Sequence, residues 1–95
     1  MKEQKKARVQ AQLQDAYDGV VKAIENGEIS EQRPLRQLQF IEIELKKMIT
    51  ALEIGQLPPR ETRAPGLWHL VVDTWSPQDV LGDKIVASEI AYERL

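Results

Sequence analysis

The spacing of apolar residues between positions 35 and 52 constrains the fold more than any other feature of the chain. These residues, at steps of three or four, are Leu35, Leu38, Ile41, Leu45, Met48 and Leu52. This heptad-like spacing predicts a helix that buries one continuous seam. Phe40, Ile43 and Ile54 form a second apolar edge, which is offset from the seam. A helix with two apolar faces has to pack against two partners.

A second amphipathic segment precedes this helix, over roughly residues 3–26. It is rich in Gln, Ala, Lys, Glu and Leu and contains no proline, so it favours a helix. Its apolar residues fall on one stripe, namely Val9, Leu13, Ala16 or Tyr17, Val20 and Ile24. Asn26 and Gly27 suit the left-handed residue that follows a helix. The next helix begins at Pro34 or at Ser30, and the short connection makes the two helices an antiparallel hairpin.

The last third of the chain opens with a connector and ends with a helix. "LPPRETRAPG", residues 57–66, holds three prolines and a glycine, which predicts a stiff connector without regular structure. In "SPQD" we expect Ser76 to cap a helix, Pro77 to be its first residue and Asp79 its third, so that the helix covers about 77–93. Its expected apolar stripe is Leu81, Ile85, Ser88, Tyr92 and Leu95, widened by Val86 and Ile90.

The segment "GLWHLVVDTW" between connector and last helix carries both tryptophans. A short helix fits its spacing better than a strand, although a buried strand is also consistent with its composition. The chain is thus predicted to be one all-α domain over residues 1–95. It consists of a long antiparallel helical hairpin, the Pro-rich connector, a short Trp-bearing segment and a C-terminal helix packed back on the hairpin. No motif points to a known family.

Composition narrows the functions to consider. The chain of 95 residues has no cysteine and a net charge of −2, which argues against thiolate chemistry, disulfides and a general affinity for nucleic acid. No apolar run approaches the ~18 residues of a membrane span, and no secretory signal is evident at the start. We therefore expect a cytoplasmic protein that does not contact membranes. The one marked charge asymmetry is a basic N-terminal arm, residues 1–8.

Two pairs of residues are candidates for chemistry. His69 and Asp73 stand four apart, so on a helix the carboxylate could orient the imidazole, as in many catalytic and metal sites. However, no nucleophile, further ligand or glycine-rich phosphate loop accompanies them. We therefore expect no enzyme, no cofactor, no metal site and no small-molecule substrate. Trp68 and Trp75 are two helical turns apart, and we expect at least one of them to fill the core.

The sequence favours a small protein–protein interaction module, an adaptor, regulator or assembly factor that binds a partner protein or itself as a homodimer. The predicted partner-binding residues are Phe40, Ile43, Ile54, Trp68 and Trp75. A first alternative is a nucleic-acid-associated regulator that uses the basic N-terminal arm with Arg33 and Arg36, although nucleic acid is the less expected partner. A second alternative is a small enzyme or metal binder around His69 and Asp73.

Overall fold

The computed structural model describes residues 2–63 and 66–95. These residues form four α-helices and one turn of 3₁₀ helix, with no strand among them. The elements are α1 (Lys2–Glu25), α2 (Leu35–Ile54), the 3₁₀ turn (Arg60–Thr62), α3 (Leu67–Thr74) and α4 (Val80–Glu93). The predicted all-α class is confirmed, and the Trp-bearing segment is a helix. Residue 1 of the predicted basic arm and residues 64 and 65 of the predicted connector lie outside the described residues.

The hairpin of α1 and α2 follows the prediction closely. Gly27 adopts a positive φ of 67° after α1, and Gly55 ends α2 with φ 70°, a conformation that glycine adopts without steric cost. Pro34 precedes α2 in an extended conformation and is not part of its first turn. The alternative start, Ser30, belongs to the turn before it, where its Oγ accepts a hydrogen bond from the backbone N–H of Arg33 at 3.1 Å.

The core is built around α1, which packs against both α2 and α4. The C-terminal helix therefore returns to the hairpin as predicted, and α3 packs against α4. The seam of α2 is buried from Leu38 to Leu52, whereas Leu35 in the first turn is exposed. Fully buried side chains from all four helices meet here, among them Leu13, Val20, Leu38, Ile41, Leu45, Leu52, Leu67 and Ile85.

The predicted start of the last helix is wrong by one turn. α4 begins at Val80, and its N-cap is Asp79, whose Oδ1 accepts a hydrogen bond from the backbone N–H of Gly82 at 3.1 Å. The Oγ of Ser76 instead accepts one from Gln78 within the preceding turn. Asp79 also pairs with Arg33 across the fold, Oδ2 to Nη1 at 3.1 Å. One carboxylate thus caps α4 and also connects it to the turn before α2.

The connector is more ordered than its prolines indicated. Residues 60–62 form a 3₁₀ turn in which the backbone N–H of Thr62 donates to the carbonyl of Pro59 at 3.0 Å. The prediction of no regular structure is therefore wrong over these residues, because a proline preceding a turn leaves its carbonyl free to accept. The guanidinium of Arg60 then donates to the carbonyl of Arg94 at 3.1 Å, which ties the connector to the end of α4.

Candidate interaction surfaces

Six side chains form a continuous exposed line along α2, here called the outer stripe. The stripe consists of Arg36, Phe40, Ile43, Lys47, Thr50 and Ile54, and all six are exposed. Their spacing of four and three residues keeps them on one face of the helix. This face points away from the core, since the buried side chains of α2, such as Ile41, Leu45 and Leu52, follow the opposite seam.

The outer stripe is apolar at three of its six positions. Phe40 is 44 % exposed, Ile43 55 % and Ile54 60 %. These residues are the apolar edge that the sequence analysis set apart from the seam. Beside Ile43 lies an open depression of about 330 Å³, lined also by Tyr17 of α1 and by Glu42, Lys46 and Lys47 of α2. The stripe therefore borders a concave surface shared by both helices of the hairpin.

A second apolar surface lies where α3 meets α4, and we call it the α3–α4 groove. Its central depression has a volume of about 440 Å³ and is lined by Val72 of α3 and by Val86 and Ile90 of α4. Trp68 and Ile90 continue it into a neighbouring depression of about 530 Å³ near the end of α4. Val72 is 63 % exposed. The groove thus presents apolar side chains from two adjacent helices to solvent.

The two tryptophans have different environments. Trp68 is 38 % exposed at the edge of the α3–α4 groove, whereas Trp75 is only 4 % exposed. Trp75 follows α3 in an extended conformation, so it does not share a helical face with Trp68. Its indole Nε1 donates to Oε1 of Gln37 at 3.0 Å, and the guanidinium carbon of Arg33 lies 5.3 Å from its ring centroid. Trp75 therefore links α2 to the end of α3 inside the fold.

The imidazole of His69 stacks on the indole of Trp68, with ring centroids 3.6 Å apart and an interplanar angle of 29°. His69 and Asp73 are both exposed on α3. Among the described residues, no group of three or more His, Cys, Asp or Glu side chains is placed to hold a metal ion. The aromatic contact gives His69 a packing role on the rim of the groove.

Among the described side chains, the basic residues of the nucleic-acid alternative lie at different ends of the hairpin. Residues 2–8 belong to α1, while Arg33 lies near the end of the hairpin and is engaged by Trp75, Asp79 and Glu28. Its side chain is only 17 % exposed. Of the two hairpin arginines considered for binding a phosphate backbone, Arg33 is therefore engaged in contacts within the fold.

One buried charged side chain of α4 escaped the sequence analysis. Glu89 is fully buried in α4 and accepts hydrogen bonds from the start of α3. The signal was its place on the apolar stripe, between Ile85 and Tyr92, where a charged residue needs partners. Tyr92 is also buried, and this burial raises the pKa of its phenol above the ordinary 10.0, while the nearby positive charge of Arg63 opposes the rise.

No protein-family model matches the chain, and no curated protein sequence shows significant similarity to it. Within residues 2–63 and 66–95, no helix combines the length and the apolar character that crossing a membrane requires. The geometry of the two apolar surfaces is therefore the basis for assigning a function.

Proposed function

We propose that this protein is a non-enzymatic protein–protein interaction module whose outer stripe binds a helix of a partner protein. The observation that carries the proposal is the exposure of Phe40, Ile43 and Ile54 on the face of α2 opposite the core. The absence of cysteine is consistent with a cytoplasmic setting, which we propose as the compartment.

Single exposed apolar residues are ordinary on protein surfaces. Three of them at heptad spacing on one helix are a different case, because this arrangement matches the anchors by which a helix docks in a groove. Burial of a Phe or Ile side chain stabilises a complex by about 1.5–3 kcal/mol when it is complete. The depression beside Ile43, between α1 and α2, offers space for a side chain of the partner.

The charges of the outer stripe favour a partner that is not a second copy of the same stripe. Lys47 lies near its middle; its side chain is 68 % exposed and pairs with Glu44 at 3.4 Å, a surface ion pair that offsets its charge only in part. If two outer stripes paired in antiparallel register with Phe40 opposite Ile54, Lys47 would face its own symmetry mate, and parallel register gives the same clash of charges. Like charges at such positions oppose association. An amphipathic helix with carboxylates opposite Lys47 and Arg36 would complement both the charges and the apolar side chains of the outer stripe.

Site-specific photo-crosslinking tests the proposal. A photoreactive amino acid replaces Thr50 in the outer stripe, and the matched control carries it at Lys22, which is exposed on α1. Crosslinking is carried out in the host lysate, with and without nuclease, and the products are identified by mass spectrometry. We expect one predominant protein from position 50 that survives nuclease and is absent from position 22.

The double variant Phe40→Asp/Ile43→Asp should remove this product while the helices remain formed by circular dichroism. The same products from positions 50 and 22, or a product that persists in the double variant, would contradict the proposal. Products that disappear with nuclease would instead support the nucleic-acid alternative.

A further inference from the structure

The exposed face of α4 carries a short pattern with opposite charges at its two ends. The α4 stripe consists of Asp83, Ala87 and Ile90 with Arg94, the C-cap that follows α4 in a helical conformation. They are again spaced by four and three residues, and all four are exposed. Asp83 and Arg94 are separated by 11 positions, or about 16 Å along the helix. Between the charges lie one small and one large apolar side chain.

This pattern is complementary to itself when it is reversed. In an antiparallel pair of α4 helices, a register that places Asp83 opposite Arg94 of a second copy also places Ala87 opposite Ile90. Each contact then occurs twice about a two-fold axis, as an isologous interface requires. The result is two pairs of opposite charges that flank two contacts in which a small side chain faces a large one.

The surroundings of the stripe add to this surface. The α3–α4 groove runs along it and contributes Trp68, Val72 and Val86, so the apolar area extends beyond a single helix. Aromatic side chains at the edge of such a groove are frequent anchors of interfaces. A second copy that crosses α4 would cover both depressions of the α3–α4 groove, the central one and the one beside Trp68.

The charges near the stripe leave its two ends with opposite sign. Arg60 and Glu93 beside Arg94 offset one another, and Asp79 beside Asp83 is paired with Arg33. Lys84, the cation next to Asp83 in sequence, pairs with Asp15 of α1 at 3.2 Å. Among the ion pairs formed by the described side chains, none involves Asp83 or Arg94.

We propose that the chain forms a symmetric dimer through antiparallel α4 stripes, with Asp83 of each copy against Arg94 of the other. This inference deepens the proposed function, since it rests on the chain being an interaction module, and it assigns self-association to a face other than the outer stripe. The occupant of the α3–α4 face is a second copy of this chain.

Charge reversal with complementation tests the dimer. Asp83→Arg and Arg94→Asp each place like charges at both ends of the interface, so each variant alone should dissociate at least about tenfold more readily than the wild type. An equimolar mixture of the two should associate again. In the mixed dimer the two substituted side chains face each other at one end, and the native Asp83 and Arg94 face each other at the other end. Sedimentation equilibrium over a range of concentrations measures the mass, from 10.9 kDa for one chain to twice that value.

The matched control is Glu53→Lys, a charge reversal at an exposed position of α2 that lies outside both stripes. It should leave self-association unchanged. A wild-type mass of one chain at every concentration, or a mixture of the two charge variants that stays monomeric, would overturn the dimer. Neither result bears on the proposal that the outer stripe binds a partner protein, because crosslinking at position 50 tests that proposal separately. Conversely, Phe40→Asp should leave the dimer intact.

Discussion

Glu89 in α4 holds the first residue of α3, because its Oε2 accepts a hydrogen bond from the backbone N–H of Leu67 at 2.9 Å. Its Oε1 accepts a second bond, from the N–H of Trp68, also at 2.9 Å. The start of a helix leaves such N–H groups without partners inside the helix. Gly66 before α3 has no side chain to cap them. A carboxylate that is distant in sequence therefore supplies the cap and positions Trp68 on the rim of the α3–α4 groove.

Replacement of Glu89 tests this role. Glu89→Ala leaves two N–H groups without an acceptor in the interior, so we expect the free energy of unfolding to fall by about 2–4 kcal/mol. Glu89→Gln keeps one acceptor oxygen and should cost less than the alanine variant. Urea unfolding followed by circular dichroism gives both values. Glu53→Ala on the exposed side of α2 is the control, with an expected change within about 0.5 kcal/mol; an alanine variant of Glu89 as stable as this control would contradict the capping role.

The fall in the free energy of unfolding at alkaline pH should depend on the ionisation of Tyr92. Burial raises the pKa of its phenol in the folded state, so the folded chain holds this proton more tightly than the unfolded chain. The stabilisation is fully present below the ordinary pKa of about 10 and is lost as the pH rises through the folded-state pKa. Unfolding free energies measured across this range should fall more steeply for the wild type than for Tyr92→Phe. Parallel curves for the two proteins would show that Tyr92 makes no such contribution.

Two helical glycines should respond differently to alanine. A Cβ at Gly82 would lie 2.9 Å from Cγ1 of Val71 in α3 and 3.3 Å from Cε3 of Trp75, which follows α3. These side chains are held in the core, so we expect Gly82→Ala to cost about 1–3 kcal/mol. A Cβ at Gly19 would meet only the side chain of Leu81, with its terminal Cδ1 at 2.7 Å. That methyl group can move, and alanine gains about 1 kcal/mol of helix propensity.

Gly19→Ala is therefore expected to leave the free energy of unfolding nearly unchanged, and it serves as the control for Gly82→Ala. Thermal unfolding at one pH ranks the two variants against the wild type. Equal losses for both would mean that the contact of α3 with α4 does not depend on the close approach at Gly82.

Local sequence patterns predicted the hairpin nearly in full, whereas in the C-terminal third they predicted the helices but not the contacts between them. The seam of α2, the stop at Gly55 and the exposed edge at Phe40 and Ile43 all follow from helical spacing, which depends on neighbours within one or two turns. By contrast, the capping residue that the structure uses, Asp79, also pairs with Arg33, 46 positions away, a contact that local spacing does not indicate. Trp68 and Trp75 stand two helical turns apart in sequence, yet the chain leaves the helix before the second one.

The candidate surfaces show the same division. The exposed positions of α2 were readable from their offset to the seam, since a helix has only one side facing the core. The burial of Trp75 and the place of Ile90 on the surface depend on where α3 lies against α4. The packing of α3 on α4 depends on Glu89 and on the small volume at Gly82. The sequence around these two residues does not indicate which part of the chain they contact.

The two contacts of Asp79 can be separated by substitution. Its Oδ1 caps α4 at Gly82, and its Oδ2 pairs with Arg33 at 3.1 Å between side chains that are both less than one-fifth exposed. Asp79→Asn keeps an oxygen for the cap and removes the charge that attracts Arg33, so we expect a loss of about 1 kcal/mol. Asp79→Ala removes both contacts and should cost about 1 kcal/mol more, the usual value of an N-cap.

Arg33→Met completes the series, because it removes the ion pair and the contact with the Trp75 ring while the cap remains. Chemical denaturation of the three variants, with the double variant Arg33→Met/Asp79→Asn, gives the coupling between the two side chains. We expect the double variant to be more stable than the sum of the single losses implies, since either substitution alone already breaks the pair. Strict additivity would mean that the pair contributes nothing and that Asp79 acts through the cap alone.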